Sequence, residues 1–145
     1  MKAVIQRVKK AHVTVDDKKV GSIEQGILTL IGFEKGDNQA LLEKMIDKII
    51  KLRIFEDENG KMNKSLLDIQ GQHLIVSQFT LAGNCLQGRR PSFTQAESPE
   101  AAKSLYEKSI ELSKNLGIHT EQGVFQAEMC VSLLNDGPVT FILEL

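Results

Sequence analysis

The sequence predicts an α/β fold in a single domain, residues 1–145, with two main helices packed on a β-sheet. Two amphipathic segments that begin with helix-capping residues alternate with short runs of β-branched residues, a mixture that suits helices packed on one sheet. A chain of 145 residues is long enough to bury a core of its own. Apolar residues at 41% and charged residues at 26% are close to globular averages, which argues against disorder and against a coiled coil.

β-branched residues near the start of the chain predict two short strands, 3–8 and 12–15, separated by lysines. Arg7 interrupts the first strand, where it either faces solvent or points its five donors at backbone carbonyls. The nearly continuous apolar run 26–33 predicts a strand that is covered on both faces and is central to the sheet.

The first predicted helix begins at a cap, Asp37 or Asn38, and runs to about Leu52. Apolar pairs repeat every four residues along it, so one face should pack on the sheet. A polar connection over residues 54–65 then predicts a turn with a short edge strand.

The segment 73–81 begins as a buried strand and turns polar halfway. Alternation along a strand would place Gln78 and Thr80 on one face and Ser77 and Phe79 on the other. Polar groups that continue an apolar strand either line a pocket at its end or hydrogen-bond to neighbouring backbone, and the sequence leaves both open.

A loop-like composition follows over residues 82–94, which include Arg89 and Arg90. Ser98 then provides a helix cap, with a proline at the first helical position and an acid in the first turn. This second helix should run to Leu116, where the next residue, a glycine, stops it.

The end of the chain has two strand-like runs, 129–134 and 139–145, on either side of the tetrapeptide Asn-Asp-Gly-Pro. Asn, Asp and Gly tolerate the positive φ of a tight reversal, and Pro138 would open the returning strand, so one interpretation is a hairpin. The other interpretation is a turn that presents backbone to a ligand. Glycine leaves the neighbouring carbonyls sterically bare, and an X-Pro bond can be cis for about 0.5–1 kcal/mol.

Charge and hydropathy narrow the classes of function. The net charge of −1 gives no global positive field for a long nucleic acid, so any RNA contact must be local. No apolar run reaches the length of a membrane span, and the apolar stretch at the N-terminus is too short for a signal peptide. We expect a cytoplasmic protein with no membrane partner.

Cysteine and histidine placement predicts no metal site and no cofactor. Cys85 and Cys130 lie far apart without a CxxC, so neither a disulfide framework nor a zinc site is encoded. His12, His73 and His119 have no ligand spacing and polar neighbours, which predicts surface positions. Phosphate-loop, dinucleotide and zinc-protease motifs are also missing.

Nucleophilic catalysis by a hydroxyl has weak support. Thr80 or Ser77 would need a base within reach, and the sequence places no histidine beside either. If the protein is an enzyme, its catalysis should rest on positioning and on backbone donors.

Two motifs near the polar strand end and the terminal turn are recognisable. Ser-Gln-Phe-Thr-Leu at 77–81 and Asn-Asp-Gly-Pro-Val-Thr at 135–140 resemble the two signature motifs of the D-aminoacyl-tRNA deacylases, in their bacterial-type form. The resemblance covers essentially the whole chain and includes four further segments, residues 3–8, 52–55, 60–63 and 90–93.

The resemblance implies a three-layer α/β/β homodimer that hydrolyses the ester between tRNA and a D-amino acid or glycine. It implies that the bond between Gly137 and Pro138 is cis and enters the pocket of the partner subunit. The backbone there would exclude the side chain of an L-amino acid, so selectivity would arise by exclusion. Arg7 would brace this turn by donating to its carbonyls.

The resemblance also implies that the 2′-hydroxyl of the terminal ribose assists catalysis, with the backbone around Phe79 and Thr80 contributing. Met129 and Phe125 would line the pocket. Arg89 and Arg90 are candidates for phosphate contact, although ordinary loop solubility explains them equally well.

Two other functions stay open at this point. One is a dimeric RNA-binding or structural module without catalysis, because fold does not fix function. The other is an ordinary esterase that uses Thr80 or Ser77 and accepts small esters lacking RNA. DNA is not an expected partner.

Overall fold

A computed structural model describes residues 1–86 and 88–145; Gln87, in the predicted loop, lies outside the described residues. The fold is mixed α/β, as predicted. In chain order its elements are β1 (Lys2–Val15), β2 (Lys18–Ile23), β3 (Gly26–Gly32), α1 (Gln39–Lys51), β4 (Phe55–Glu56), β5 (Met62–Lys64), β6 (Gln72–Ser77), a 3-10 helix (Phe79–Ala82), α2 (Pro99–Asn115), β7 (His119–Gln122) and β8 (Cys130–Glu144).

The main sheet is built around β1. The first half of β1 pairs antiparallel with β3 and its second half with β2, while β8 pairs antiparallel along nearly its whole length. β6 adds to β3 in parallel, and β7 adds to β6 in parallel. The predicted short strand is present, but β4 and β5 form a hairpin of their own and not an edge of this sheet.

β1 corrects the prediction of two separate strands. Lys9 and Lys10 are exposed but do not interrupt the strand, because β8 pairs on both sides of them, with Asn135 opposite Val8 and Leu133 opposite Ala11. A polar pair of side chains ends an apolar pattern without ending the hydrogen-bonded ladder.

β3 is central and covered on both faces, as its apolar run predicted. Ile27 and Ile31 pack into the cluster that includes the buried residues of α1 and α2. Leu28 packs on the other side with Val8 and Leu74. Side chains alternate across a strand, so one continuous apolar run serves two separate clusters.

Both helices begin where the sequence predicts. Asn38 caps α1 by accepting a hydrogen bond from the backbone of Leu41 at 3.1 Å, and Ser98 caps α2 through the backbone of Ala101 at 3.4 Å. Gly117, with φ of +84°, follows the end of α2. None of the helices in the described part of the chain is long and apolar enough to span a membrane.

His73 is fully buried, so the prediction of a surface position is wrong for this histidine. It lies on β6, which is covered on both faces, and both ring nitrogens have partners. Nε2 is 2.7 Å from the Thr29 hydroxyl and Nδ1 is 2.9 Å from that of Ser113, which in turn is 2.7 Å from the Thr120 hydroxyl. This network joins β3, β6, α2 and β7, which satisfies polar groups that would otherwise be costly to bury.

Acid should destabilise the fold through His73. Burial lowers the pKa of His73 to about 3, whereas an unfolded histidine titrates near 6.5. Below about pH 6.5 only the unfolded chain binds this proton, so the free energy of unfolding should fall as pH decreases, by up to about 1.4 kcal/mol per pH unit. Urea unfolding should show a loss of about 2 kcal/mol between pH 6.5 and pH 5.

A pair of variants assigns that loss to one residue. His73→Gln should remove most of the pH dependence in this range, whatever its effect on stability at pH 7. His119→Gln replaces an exposed histidine, and this variant should keep the pH dependence of the wild type. Equal pH slopes in the two variants would contradict the assignment.

Candidate active site

A cavity of about 550 Å³ lies where β3 and β6 end, between the start of α2 and the segment before β8. It is mainly apolar, with a few polar groups, which is the usual composition of a small-molecule site. Five residues that the family resemblance implicated line it, namely Ser77, Gln78, Phe79, Phe125 and Met129.

The segment 77–81 is not a strand beyond Ser77, which corrects the predicted alternation of side chains. The last β3–β6 pair is Ile31 with Ser77, and the chain then enters the 3-10 helix. The Gln78 N–H donates to the carbonyl of Ile31 at 2.7 Å, which ties this turn to the end of β3. Residues 77–79 therefore meet the cavity along a bend rather than along one face of a sheet.

Thr80 does not line the cavity. Its hydroxyl accepts a hydrogen bond from the Gln78 side-chain amide at 2.5 Å, and its side chain is exposed. In the described part of the chain no histidine or carboxylate bonds to Thr80 or Ser77, and both nitrogens of His73 are engaged elsewhere. The arrangement lacks the paired nucleophile and base that a hydroxyl mechanism requires.

Gly32 is a site residue that the sequence reasoning did not single out. A Cβ at this position would lie 2.6 Å from the Gln78 carbonyl oxygen and 3.0 Å from Cβ of Leu81. Only glycine lets the bend approach the end of β3 this closely. The only sequence signal was a glycine at the end of a buried apolar run. An ordinary strand end has the same pattern, so the glycine alone does not indicate a close backbone approach.

Tyr106 supports one wall of the cavity through Phe125. Its buried hydroxyl donates toward the carbonyls of Ile75 and Gly123, at 2.9 and 3.0 Å, and burial raises the pKa of Tyr106. Its ring centroid lies 5.8 Å from that of Phe125, which lines the cavity. The wall is thus held by side chains whose polar groups are already bonded.

The outer rim carries exposed aromatic surface. Phe79 is 62% exposed, and its ring centroid lies 5.2 Å from that of Phe93. Arg89 and Arg90 are exposed in the described part of the same loop and do not line the cavity. Exposed rings of this kind suit base stacking, and exposed guanidinium groups suit phosphate.

The tetrapeptide at 135–138 is not a hairpin, so that interpretation is wrong. β8 continues through it, with Asn135 opposite Val8 and Thr140 opposite Gln6. Residues 136–139 therefore lie opposite a single residue, Arg7, and form a bulge of four residues in β8. The Asn135 side-chain amide closes the bulge by donating to the carbonyls of Arg7 and Val139, at 2.9 and 3.2 Å.

Arg7 is buried behind this bulge. Its Nη1 donates to the carbonyl of Ile54 at 2.6 Å and its Nε donates to the carbonyl of Asp136 at 3.1 Å. The Asp136 carboxylate lies 3.4 Å from Nε, and that of Glu56 lies 3.9 Å from Nη2. Of the two interpretations of Arg7, the one that points its donors at backbone carbonyls is correct.

The bond between Gly137 and Pro138 is trans, because the described residues include no cis peptide bond. This corrects the cis bond that the resemblance implied. The chain departs from extended geometry through Gly137, whose φ is +119°, a value that residues with a side chain rarely adopt. Trans is also the lower-energy form of an X-Pro bond by about 0.5–1 kcal/mol.

The bulge and the cavity are separate places in one chain. Gly137 and Arg7 line a small second cleft with Asp136 and Glu56, and neither reaches the first cavity. Both Gly137 and Pro138 are exposed. The structure thus brings Ser77, Gln78, Phe79, Phe125 and Met129 together, but it does not bring the Gly-Pro turn to them.

Comparison with known proteins agrees with this architecture. The sequence model of a family described as D-Tyr-tRNA(Tyr) deacylase matches residues 4–144. The chain belongs to this family. The family resemblance that the motifs indicated is therefore confirmed, and the chain is a hydrolase of the deacylase kind.

Individual relatives cover the chain almost completely. The D-aminoacyl-tRNA deacylase of Geotalea daltonii is 60% identical over 144 residues, which cover 99% of this chain and 96% of the relative. The D-aminoacyl-tRNA deacylase of Fervidobacterium nodosum is 56% identical over 144 residues. These residues cover 99% of this chain and 97% of the relative.

Solved structures share the fold. One described as a c-Myc DNA Unwinding Element Binding Protein is 43% identical, has a TM-score of 0.94 and covers 100% of this chain and 99% of its own. A probable eukaryotic D-amino acid tRNA deacylase is 18% identical and has a TM-score of 0.86. The match covers 99% of this chain and 98% of the other. At that identity the second likeness concerns the fold alone.

Proposed function

We propose that this deacylase is an editing hydrolase that cleaves the ester between tRNA and a D-amino acid, and rejects L-aminoacyl-tRNA. The observation that carries the proposal is the cavity formed by the Ser77–Phe79 bend in a chain that belongs to the D-Tyr-tRNA(Tyr) deacylase family. A site that rejects an L side chain by steric exclusion has nothing to exclude in glycine, so glycyl-tRNA is a substrate as well.

The tRNA supplies the group that starts the reaction. The described hydroxyls at the cavity have no base beside them, which favours attack assisted by the 2′-hydroxyl of the terminal ribose. The protein positions the ester and stabilises developing negative charge with backbone N–H groups near Phe79 and Thr80. Phe79 offers its exposed ring to the terminal base, and Arg89 and Arg90 contact phosphate at the acceptor end.

The working unit is a homodimer with a three-layer α/β/β subunit, in which the bulge at Gly137 and Pro138 enters the partner's cavity. In the described residues β8 pairs only with β1, so its outer edge is open. Side chains along β8 are exposed and apolar, with Phe141 at 41% and Ile142 at 70%. An open edge with exposed apolar residues favours pairing with a second copy, and the exposed turn lies on the same strand.

Chiral selection is then a property of the bulge backbone. Gly137 has no side chain to cover the neighbouring backbone carbonyls. These carbonyls occupy the space that an L side chain would need, and the D side chain points away from them. Arg7 and Asn135 hold this backbone in place within its own subunit. The assembly acts on the acceptor end of tRNA in the cytoplasm.

Matched D-tyrosyl-tRNA and L-tyrosyl-tRNA test the proposal directly. The purified protein should cleave the D ester and leave the L ester intact. Pro138→Ala should lower the D-to-L ratio of kcat/KM roughly tenfold, about 1.4 kcal/mol of discrimination, because the proline no longer limits the turn. Pro91→Ala, in an exposed loop outside the cavity, should leave the ratio unchanged. Folded dimeric protein that cleaves neither ester would refute the proposal.

A second candidate is nucleic-acid binding without turnover, and it is favoured by the 43% identical structure whose description names DNA binding. The net charge of −1 argues against a broad DNA contact. Binding of duplex DNA at physiological salt, without cleavage of any aminoacyl ester, would make this the better function.

A further inference from the structure

Three side chains, Gln6, Thr140 and Asn135, form a hydrogen-bonded network at the neck of the bulge in β8, the neck network. The Gln6 side-chain amide donates from Nε2 to the Thr140 hydroxyl at 3.3 Å, and that hydroxyl donates to Oδ1 of Asn135 at 3.5 Å. The Asn135 amide donates in turn to the carbonyls of Arg7 and Val139, at 2.9 and 3.2 Å. The network therefore joins β1 to both ends of the bulge.

The contact between Asn135 and Thr140 depends on the bulge. From the pair Asn135–Val8 to the pair Thr140–Gln6, β1 advances by two residues and β8 by five. In a regular strand, two residues five positions apart point to opposite faces of the sheet. The three additional residues of β8 bring both side chains to one face, where they meet. This hydrogen bond is therefore specific to the bulged register and would break in a regular one.

The direction of each hydrogen bond in the neck network is fixed. An amide nitrogen such as Nε2 of Gln6 can only donate, so it takes a lone pair of the Thr140 hydroxyl and leaves the hydroxyl proton for Asn135. With Oδ1 held by that proton, the Asn135 nitrogen keeps its two donors toward the two carbonyls at the neck. Rotation of this amide by 180° would set its oxygen against both carbonyls. Hydrogen bonds that run in one direction also polarise one another.

We propose that Gln6 and Thr140 are positioning residues for chiral selection, which act on the bulge through the Asn135 amide. The inference rests on the proposed function, since it takes the bulge as the part that excludes an L side chain. Arg7 points to the other face of β1 and holds the carbonyl of Asp136 from there. The bulge is thus held from both faces of the strand, by the guanidinium on one and by the neck network on the other.

Thr140→Val tests the hydroxyl, because it keeps the branched shape of the side chain and removes the donor. The ratio of kcat/KM for D-tyrosyl-tRNA to that for L-tyrosyl-tRNA should fall roughly fivefold, the scale of one neutral hydrogen bond. The fall should come mainly from faster cleavage of the L ester, since a looser bulge excludes its side chain less well. Thr140→Ser retains the hydroxyl and should keep the ratio within a factor of about two.

Two substitutions of Gln6 test the direction of the hydrogen bonds. Gln6→Glu replaces the donor by a carboxylate that only accepts, so the Thr140 proton turns toward it and leaves Oδ1 of Asn135 without a donor. Gln6→Met removes the donor without adding an acceptor, so the hydroxyl can still donate to Asn135. We expect a larger fall in the D-to-L ratio for Gln6→Glu. The added negative charge weakens the binding of both tRNA esters alike and cancels from this ratio.

Thr14→Val is the matched control for Thr140→Val. Thr14 lies opposite Cys130, at the far end of the same β1–β8 ladder, and should keep the wild-type ratio when it is replaced. Analytical ultracentrifugation shows whether each variant is still a dimer. A ratio that falls only in variants that have become monomers would overturn the inference, because the effect would then lie in assembly.

The outcomes separate this inference from the proposed function. Wild-type protein that discriminates between the two esters, with an equal ratio in Thr140→Val, would overturn the inference alone. A fall in Gln6→Met as large as in Gln6→Glu would also overturn it, and this comparison holds even if Thr140→Val fails to fold. Wild-type protein that cleaves neither ester would overturn the proposed function, and this inference with it.

Discussion

Gly32→Ala should lower kcat/KM for D-tyrosyl-tRNA about 100-fold in protein that still folds, the scale expected for a misplacement of about 1 Å at a catalytic segment. The added Cβ would lie 2.6 Å from the carbonyl oxygen of Gln78, which is backbone and cannot rotate away. The bend at 77–79 must therefore move relative to β3. Because that bend lines the cavity, the ester can no longer be positioned as before.

The loss should appear in kcat more than in KM. Under the proposed function the acceptor end also contacts the exposed rim outside the cavity, so its binding should persist while the reacting ester is displaced. Single-turnover measurements with saturating protein would separate the two. A variant with normal kcat and a raised KM would argue against a positioning role for Gly32.

Gly36→Ala is the control for this substitution. Gly36 has φ of +94°, and a Cβ added there would meet no heavy atom within 4 Å, so the variant should lose roughly 1 kcal/mol of stability through backbone strain alone. Its deacylation rate should stay within a factor of about two, since Gly36 does not touch the cavity. Similar losses of activity in both variants would show that reduced stability, rather than the Gln78 contact, causes the effect.

The local part of the fold was predictable because short-range signals decide it. The caps Asn38 and Ser98 and the glycine after α2 act through bonds to neighbouring residues, and both helices begin and end where these signals place them. The covered strand β3 was likewise visible as a continuous apolar run.

The misjudged elements depend on partners far along the chain. β1 stays continuous through its lysines because β8, more than 120 residues later, pairs on both sides of them. The buried ring of His73 is satisfied by hydroxyls from two other elements, β3 and α2, and no local pattern encodes that arrangement. The continuous β8 likewise needs β1 opposite it, so the tetrapeptide alone could equally predict a hairpin.

The candidate site was only partly predictable for the same reason. The motif residues 77–79, with Phe125 and Met129, do meet at one cavity. Gly32 and Glu97 belong to it through contacts that only the folded chain creates, whereas Thr80, although part of the same motif, points elsewhere. A motif locates a segment, and the direction of each side chain follows from the bend that the segment adopts.

Arg7→Met should lower the free energy of unfolding by about 3 kcal/mol and weaken chiral selection at the same time. The substitution keeps an apolar stem of similar length but removes the donors to the carbonyls of Ile54 and Asp136. The buried Ile54 carbonyl would be left without that bond, and the Asp136 carboxylate would lose a charged neighbour 3.4 Å away. Urea unfolding of the variant, with a D-to-L cleavage ratio alongside, measures both effects.

Two further variants separate charge from geometry at this position. Arg7→Lys retains the positive charge but not the planar fork that reaches two carbonyls in different directions, so it should recover only part of the stability and of the D-to-L ratio. Arg53→Met removes an exposed arginine next to Ile54 and should change stability by no more than about 0.5 kcal/mol. If Arg7→Met lost stability but kept full chiral selection, Arg7 would support the fold without bracing the turn. If Arg7→Lys matched the wild type in both measurements, charge alone would suffice and the directed hydrogen bonds would not be needed.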